Sequence, residues 1–368
     1  MSVKCSDIIL HLERKAPPSL AEEWDNVGLM AGSMKKDVNR IMICLDVTEN
    51  VVNEAIEKNI DMIISHHPLI FSRLKNINDT TSKGRLLLKL IKNDICVYSM
   101  HTNLDVAEGG VNDCLAEALK LKQLKSLSEY KKEKLYKIAV FIPVGHEDAV
   151  RDAMSNAGAG WIGKYSDCTF MVHGTGTFKP MEGTNPYIGK SGVLEKVHEI
   201  RLETIVPENR MKNVIDAMIK AHPYEEVAYD IYPLEIAGKE FSLGKVGQLD
   251  EPLMLDEFIV YVKKSLKTDY IRLIGSVKDK ISRVAVFCGS FDESVMGNVK
   301  SKADVLVTGD IKYHTALEFL ENDMCVIDAG HFSTERVVLK KLADMIIEKY
   351  PDLYVVLNTV EEDPFKYC

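Results

Sequence analysis

The sequence predicts an α/β protein built from two related lobes, one at each end of the chain, with an α+β domain inserted between them. Three observations carry this reading. Residues 40–65 (RIMICLDVTENVVNEAIEKNIDMIIS) and 283–308 (RVAVFCGSFDESVMGNVKSKADVLVT) share one pattern without a gap: Arg, a short apolar run, an acidic turn, a helical stretch, then Asp and a second apolar run. Arg40 to Asp61 and Arg283 to Asp304 are both separated by 21 residues. Further on, DICVYSMHTNLD (94–105) and DMCVIDAGHFSTE (323–335) are both Asp-apolar-Cys-Val runs that end in a His with a carboxylate four residues later. Continuous apolar runs bounded by helical stretches are the mark of parallel strands buried on both faces.

Taken in order, MSVKCSDIILHLERKAPP reads as a capped amphipathic helix broken by Pro17 and Pro18, not as a signal peptide. The first lobe then supplies a short apolar strand after Arg40, a second after Asp61 and a third after Asp94, and the last lobe repeats them. The middle segment, about 128–240, has its own rhythm. EKLYKIAVFIPVG is a strand, HEDAVRDAMSNAGAG a helix stopped by glycines, SDCTFMVHGTGTFKP and EKVHEIRLETIVP strands, ENRMKNVIDAMIKAH an amphipathic helix and EVAYDIYPLE a last strand. Pro143 precedes Val150, and Pro207 precedes Val214, by seven residues. A duplicated unit in βαββαβ order is the ferredoxin-like arrangement. The lysine-rich KQLKSLSEYKKEK before it and AGKEFSLGKVGQ after it read as linkers. The division expected is 1–127 with 241–368 as one domain and 128–240 as the insert.

Composition narrows the function. At 368 residues, 46% hydrophobic and 27% charged, the chain is an ordinary globular sequence with room for more than one domain. A net charge of −9 disfavours nucleic-acid or anionic-membrane surfaces, which need a basic footprint. The eight cysteines form no C-x-x-C pair, so they read as free thiols of a cytoplasmic protein. No apolar run approaches the roughly 18 residues of a membrane span.

The residues that carry chemistry are His66, His67, His101, Asp105, His331 and Glu335. Each lies where a predicted strand ends, and open α/β sheets bind ligands just beyond the carboxyl ends of their strands. A His and an acid four residues apart share a face in a helical turn. Singly, each has an ordinary reading as a surface histidine or a helix-capping acid. Their recurrence at matching points of the repeat favours a metal site, and imidazole with carboxylate suits zinc, iron or manganese better than calcium. Side by side on a strand, His66 and His67 point apart, so each should ligate a different ion. His314, at the strand end matching His66, is a pocket-lining or proton-donating candidate or else a surface helix residue. Trp24, Asp25 and Asn26 form either a pocket wall or a structural turn. His146, His173, His198 and His222 read as structural. IGKSG (188–192) lacks the spacing and the following helix of a phosphate loop.

EEWDNVGL, SHHPLIF, HTNLD and DAGHFSTE together resemble the signatures of the dinuclear-metal family named for NGG-one-interacting factor three, whose bacterial members are often called GTP cyclohydrolase type 2 homologues. AHPYEEVAYDIYPLE is similar to the PII- and CutA-related insert of the longer bacterial members. The resemblance implies that His66, His67, Asp105, His331 and Glu335 ligate two divalent cations. Glu335 would bridge them, with Asp105 a second candidate bridge, and His101 would be a ligand or a partner of one. It also implies a homohexamer, a dimer of trimers, with the metal sites facing an interior cavity capped by the inserts. The expected activity is metal-dependent hydrolysis of a nucleotide-like substrate, as in a GTP cyclohydrolase, with His101 or His314 moving the proton. The alternative is a non-catalytic metal-binding regulatory module with a ligand-sensing insert.

Overall fold

The computed structural model of the chain describes residues 2–366. It is a mixed α/β structure of two compact units. One ends at Lys131 and resumes at Phe241; the other is Lys132–Glu240.

The first unit holds two large sheets, besides a two-stranded pairing of Val3–Lys4 with Asp37–Val38. One has the spatial order Tyr354–Leu357, Arg40–Cys44, Met62–Ser65, Cys96–Ser99, Gly28–Ala31, parallel throughout except for the antiparallel Gly28–Ala31 edge. The other contains Arg272–Ile274, Val326–Asp328, Val305–Gly309 and Ile281–Ser290, followed by the Lys245–Leu253 stretch of the strand Tyr229–Leu253. Its three inner strands from 281, 305 and 326 repeat the parallel set of the first sheet. Side-chain alternation divides the core. Ile41, Ile43 and Ile64 turn inward to the same cluster as Val284, Val286 and Val307 of the second sheet. Met42, Cys44 and Ile63 turn outward under the helices Glu49–Glu57 and Ser82–Lys92, while Ala285 and Phe287 turn outward in the second sheet. The two sheets therefore face one another through one apolar core, which the helices Cys5–Lys15, Leu255–Leu266 and Val338–Lys349 complete.

The repeated 21-residue spacing has a physical cause. Asp61 Oδ2 accepts the backbone N–H groups of Asn39 and Arg40 at 2.8 and 3.0 Å. Asp304 Oδ2 does the same for Ser282 and Arg283 at 3.0 and 2.8 Å. In each lobe the aspartate that opens the second strand therefore pins the start of the first, fixing the register of the pair.

In the second unit Leu135–Pro143, the end of the strand Lys122–Pro143, pairs antiparallel with Glu195–Pro207, which pairs antiparallel with Thr169–Phe178. The helices Glu147–Asn156 and Met211–Ala221 bury Val150, Met154, Val214 and Met218 against Ile138, Val140 and Leu202. The chain runs strand, helix, strand, strand, helix, strand. Both valines placed seven residues after a proline are fully buried.

Three expectations need correction. The two stretches read as linkers are strands, Lys122–Pro143 and Tyr229–Leu253. Their lysines misled, because a single apolar side chain among them anchors the stretch: Leu127 joins Phe287 and Phe291 in the outer cluster of the second sheet. The first helix, Cys5–Lys15, has no side-chain cap. The lobes are also not confined to opposite ends of the chain, because Tyr354–Leu357 crosses to pair with Arg40–Cys44 of the first. Among the described residues no helix is long and apolar enough to cross a membrane.

Candidate metal centre

His66 and His67 continue the alternation of the strand Met62–Ser65. The backbone N–H of His66 donates to Cys44 O and that of His67 to Leu45 O, so the ladder persists past the strand. His66 keeps the parity of Ile64 and points between the sheets, where it is fully buried. His67 takes the opposite parity. His101 and Asp105 sit at the start and in the body of the one-turn helix Thr102–Val106, and His331 and Glu335 open and close His331–Glu335. Helical spacing therefore brings each His and acid to one face, as the sequence pattern requires.

Four of these side chains are histidines, and all four are fixed at Nδ1 by an oxygen. His66 Nδ1 lies 2.8 Å from Met100 O. His67 Nδ1 lies 3.0 Å from Asp46 Oδ1, His101 Nδ1 2.8 Å from Asp25 Oδ1, and His331 Nδ1 2.8 Å from Asp310 Oδ2. With Nδ1–H donated in each case, Nε2 is left with a free lone pair, the arrangement that carboxylate or carbonyl partners impose on metal-binding imidazoles. Asp25 also accepts from the backbone N–H and the hydroxyl of Thr102, which holds it in place.

The free nitrogens converge. His67 Nε2 is 3.3 Å from His331 Nε2, and Glu335 Oε2 lies 2.9 Å from the first and 3.0 Å from the second. His66 Nε2 is 3.5 Å from Asp105 Oδ1 and 3.7 Å from Glu335 Oε2. Three groups have ligand atoms within 4.8 Å of one another: His66 with Asp105 and Glu335; His67 with His331 and Glu335; and His66 with His67 and His101. His66 and His67 thus fall into separate groups where Glu335 takes part, and into one group together with His101.

Two features fit cations here. Glu335 Oε2 and His66 Nε2 are buried without a hydrogen-bond partner, although three ring nitrogens crowd the carboxylate. Buried polar atoms in that condition are costly unless something else satisfies them. The second lobe also leaves room: a Cβ on Gly289, where φ is +59°, would lie 2.1 Å from Glu335 Oε1. A Cβ on Gly309 would lie 2.8 Å from His331 N. Gly289, Gly309 and Asp310 occupy the repeat positions of Asp46, His66 and His67. One lobe projects imidazoles from its strand ends, and the other stays flat so that the His331–Glu335 turn can approach.

Electrostatics describe the cluster without a cation. Burial works against the charged imidazole of His67, but the carboxylates of Asp46 and Glu335 outweigh it and lift the pKa to about 10. His331 is lifted against its burial to about 9 by Glu335 and then Asp310. Burial would raise Glu335, yet the surrounding His66, His331 and His67 hold it well below the usual carboxylate range. Asp105 is raised by burial, with the Glu335 charge adding to it. Asp25 is pulled down to about 2, its burial overcome by the bonds from His101 and Thr102.

His314 does not join the cluster. It is exposed in the first turn of the helix Tyr313–Glu321, its ring edge-on to Tyr313 at 5.4 Å. In the second unit, His222 accepts Tyr224 N–H at Nδ1 and places Nε2 3.0 Å from Phe141 O, a structural role. IGKSG is followed by the strand Glu195–Pro207 and not by a helix. Sequence reasoning missed the orienting Asp46 and Asp310. The signal was present for Asp310, which occupies the repeat position of His67; an acid just past a strand end was the only sign for Asp46.

The sequence profile of the Duf34/NIF3 (NGG1p interacting factor 3) family matches residues 3–364. A Halalkalibacterium halodurans protein named GTP cyclohydrolase 1 type 2 homolog is 45% identical over 364 residues, covering 98% of each chain. A Bacillus subtilis protein of the same name is 44% identical over 369 residues, covering 100% of this chain and 99% of that one. The crystal structure of a Bacillus cereus protein related to NIF3 superposes with a TM-score of 0.87 at 43% identity, covering 100% of this chain and 99% of that one. A Staphylococcus aureus structure gives a TM-score of 0.76 at 30% identity, with the same coverage. With the family match spanning both lobes and the segment between them, the chain belongs to the Duf34/NIF3 family.

Proposed function

We propose that the protein is a metal-dependent hydrolase with a two-cation site acting on a nucleotide-like substrate. One observation carries the reading: two groups of ligand atoms share the buried, otherwise unpartnered Glu335 Oε2. His66 with Asp105 would hold one divalent cation, and His67 with His331 the other, with Glu335 common to both. Zinc, iron and manganese all match this donor set. Bound there, the cations would supply Lewis acidity, acidifying water and polarising the bond under attack. The protein's own share is orientation and proton transfer. Asp46, Asp310, Asp25 and Met100 O hold the four imidazoles, and His101, gripped at Nδ1 by Asp25, keeps the Nε2 lone pair free to take a proton from the attacking water and pass it to the leaving group.

The names of the relatives favour a purine nucleotide such as GTP, in which one water opens the imidazole ring to a formamide and a second releases C8 as formate. We read the second unit as a ferredoxin-like, PII-type insert, on its strand and helix order, and the assembly as a homohexamer. Purified protein should contain close to two divalent metal ions per chain by elemental analysis and release formate from GTP. Glu335→Gln should lose metal and turnover while keeping the wild-type circular dichroism spectrum. Full activity in that variant would sink the scheme.

A further inference from the structure

Beside the cluster, the structure leaves two large aromatic side chains in the open. Trp24 is 59% exposed and Phe71 57%. Their rings lie 5.8 Å apart, tilted by 50°, and each is edge-on to His101, at 6.1 Å for Trp24 and 6.5 Å for Phe71. His101 in turn lies against both His66 and His67. The two rings thus extend the candidate metal site outward by one aromatic layer.

This layer is held, not loose. Asn26 Nδ2 donates to Ile70 O at 2.5 Å, tying the segment that carries Trp24 to the loop that carries Phe71. Asp25, between Trp24 and Asn26, is bound by His101 and Thr102, and the backbone N–H of Glu22 donates to Thr102 Oγ1 at 3.0 Å. The chain therefore fixes the backbone under both rings while leaving the rings themselves uncovered. Large exposed aromatics over a rigid support, next to polar chemistry, mark a place where a ligand lies.

Resting on the hydrolase reading, we propose that Trp24 and Phe71 form a stacking platform for the planar heteroaromatic ring of the substrate, a purine base, beside the His66–His67–His101 face. A flat ring laid on one of them meets the tilted edge of the other, and both offset-stacked and edge-to-face contacts are favoured between aromatic rings. Stacking is tolerant of base identity, because every base has a π-face. The platform thus selects a nucleotide over a sugar phosphate and leaves the choice among bases to other groups.

Trp24 is one of two tryptophans, the other being Trp161 of the second unit. A Trp161→Phe background makes Trp24 the sole reporter in the full-length, metal-loaded protein. Titration with guanosine 5′-monophosphate should quench its emission to saturation, whereas ribose 5-phosphate should not. Adding Phe71→Ala should weaken nucleotide binding by roughly tenfold. Equilibrium dialysis should show the same loss for Trp24→Ala, with Trp24→Phe largely restoring affinity. An absence of quenching, affinity unchanged in both alanine variants, or Trp24 shielded from acrylamide before ligand is added because a second copy covers it would each overturn the platform. Saturable quenching without formate release would uphold the platform and refute the hydrolase. Formate release with a KM unchanged in Trp24→Ala and Phe71→Ala would do the reverse.

Discussion

Glu335 Oε1 lies 2.1 Å from where a Cβ on Gly289 would be. The carboxylate common to both groups of ligand atoms therefore rests on a bare backbone. Gly289 also has φ at +59°, a region that costs other residues about 1–2 kcal/mol. Gly289→Ala should displace Glu335, lower the bound metal well below the wild-type content and reduce thermal stability by at least that backbone cost. Elemental analysis and a melting curve of the same preparation check both effects; wild-type metal content would remove the steric role given to this glycine.

The oxygens behind the imidazoles make a second prediction. Asp46→Asn and Asp310→Asn keep the shape of each side chain but remove the charge facing His67 and His331. Loss of such a partner typically weakens metal affinity by about ten- to a hundredfold. Competition with a calibrated chelator should show that loss in each single variant, and the metal-free protein should lose stability at neutral pH, where the imidazoles are charged, and little above about pH 10.

The pH dependence should differ in sign between the metal-free and metal-loaded forms. Without metal, His67 at about 10 and His331 at about 9 bind protons more tightly in the folded chain than in the unfolded one. Their contribution to stability is complete below about pH 6.5, the unfolded value, and is lost as the pH rises through 9 to 10. Metal binding needs those rings neutral and so releases protons. The added stabilisation from metal should therefore grow over the interval in which the metal-free protein weakens. Calorimetry across that interval, with and without zinc, measures both; parallel curves would contradict the assignment.

The paired register clamps give a purely structural prediction. Asp61→Ala and Asp304→Ala each remove two charge-assisted bonds to backbone N–H groups. Each should cost about 1.5–3 kcal/mol, read from the denaturant midpoint. The two losses should be nearly additive, because the sites lie in different sheets.

The proposed assembly is checked by light scattering of the purified protein. A homohexamer scatters as about six chain masses, and a scattering mass of one or two chains at micromolar concentration would reject it.

Much of this structure was legible because it is local. The strand Arg40–Cys44 and its counterpart within Ile281–Ser290 are apolar at every inner position, and the helix between strands is set by capping groups such as Thr48, which accepts Val51 N–H. The turns that present His101 with Asp105 and His331 with Glu335 follow from spacing alone. What escaped notice depends on distant partners. Lys122–Pro143 looks like a linker until Leu127 meets Phe287 and Phe291. Tyr354–Leu357 carries no sign in its own residues that it will pair with Arg40–Cys44. Asp46 and Asp310 are ordinary loop acids until a ring nitrogen stands beside each.

His67 and His331 meet across 264 residues of chain. A nascent polypeptide cannot assemble this cluster until the His331–Glu335 turn has emerged, so neither lobe alone holds the full set of candidate ligands. Closing so long a loop is entropically expensive, and a cation that joins its ends would act as a late clasp on an otherwise finished fold. Metal occupancy would then report that both lobes have been made and have folded together.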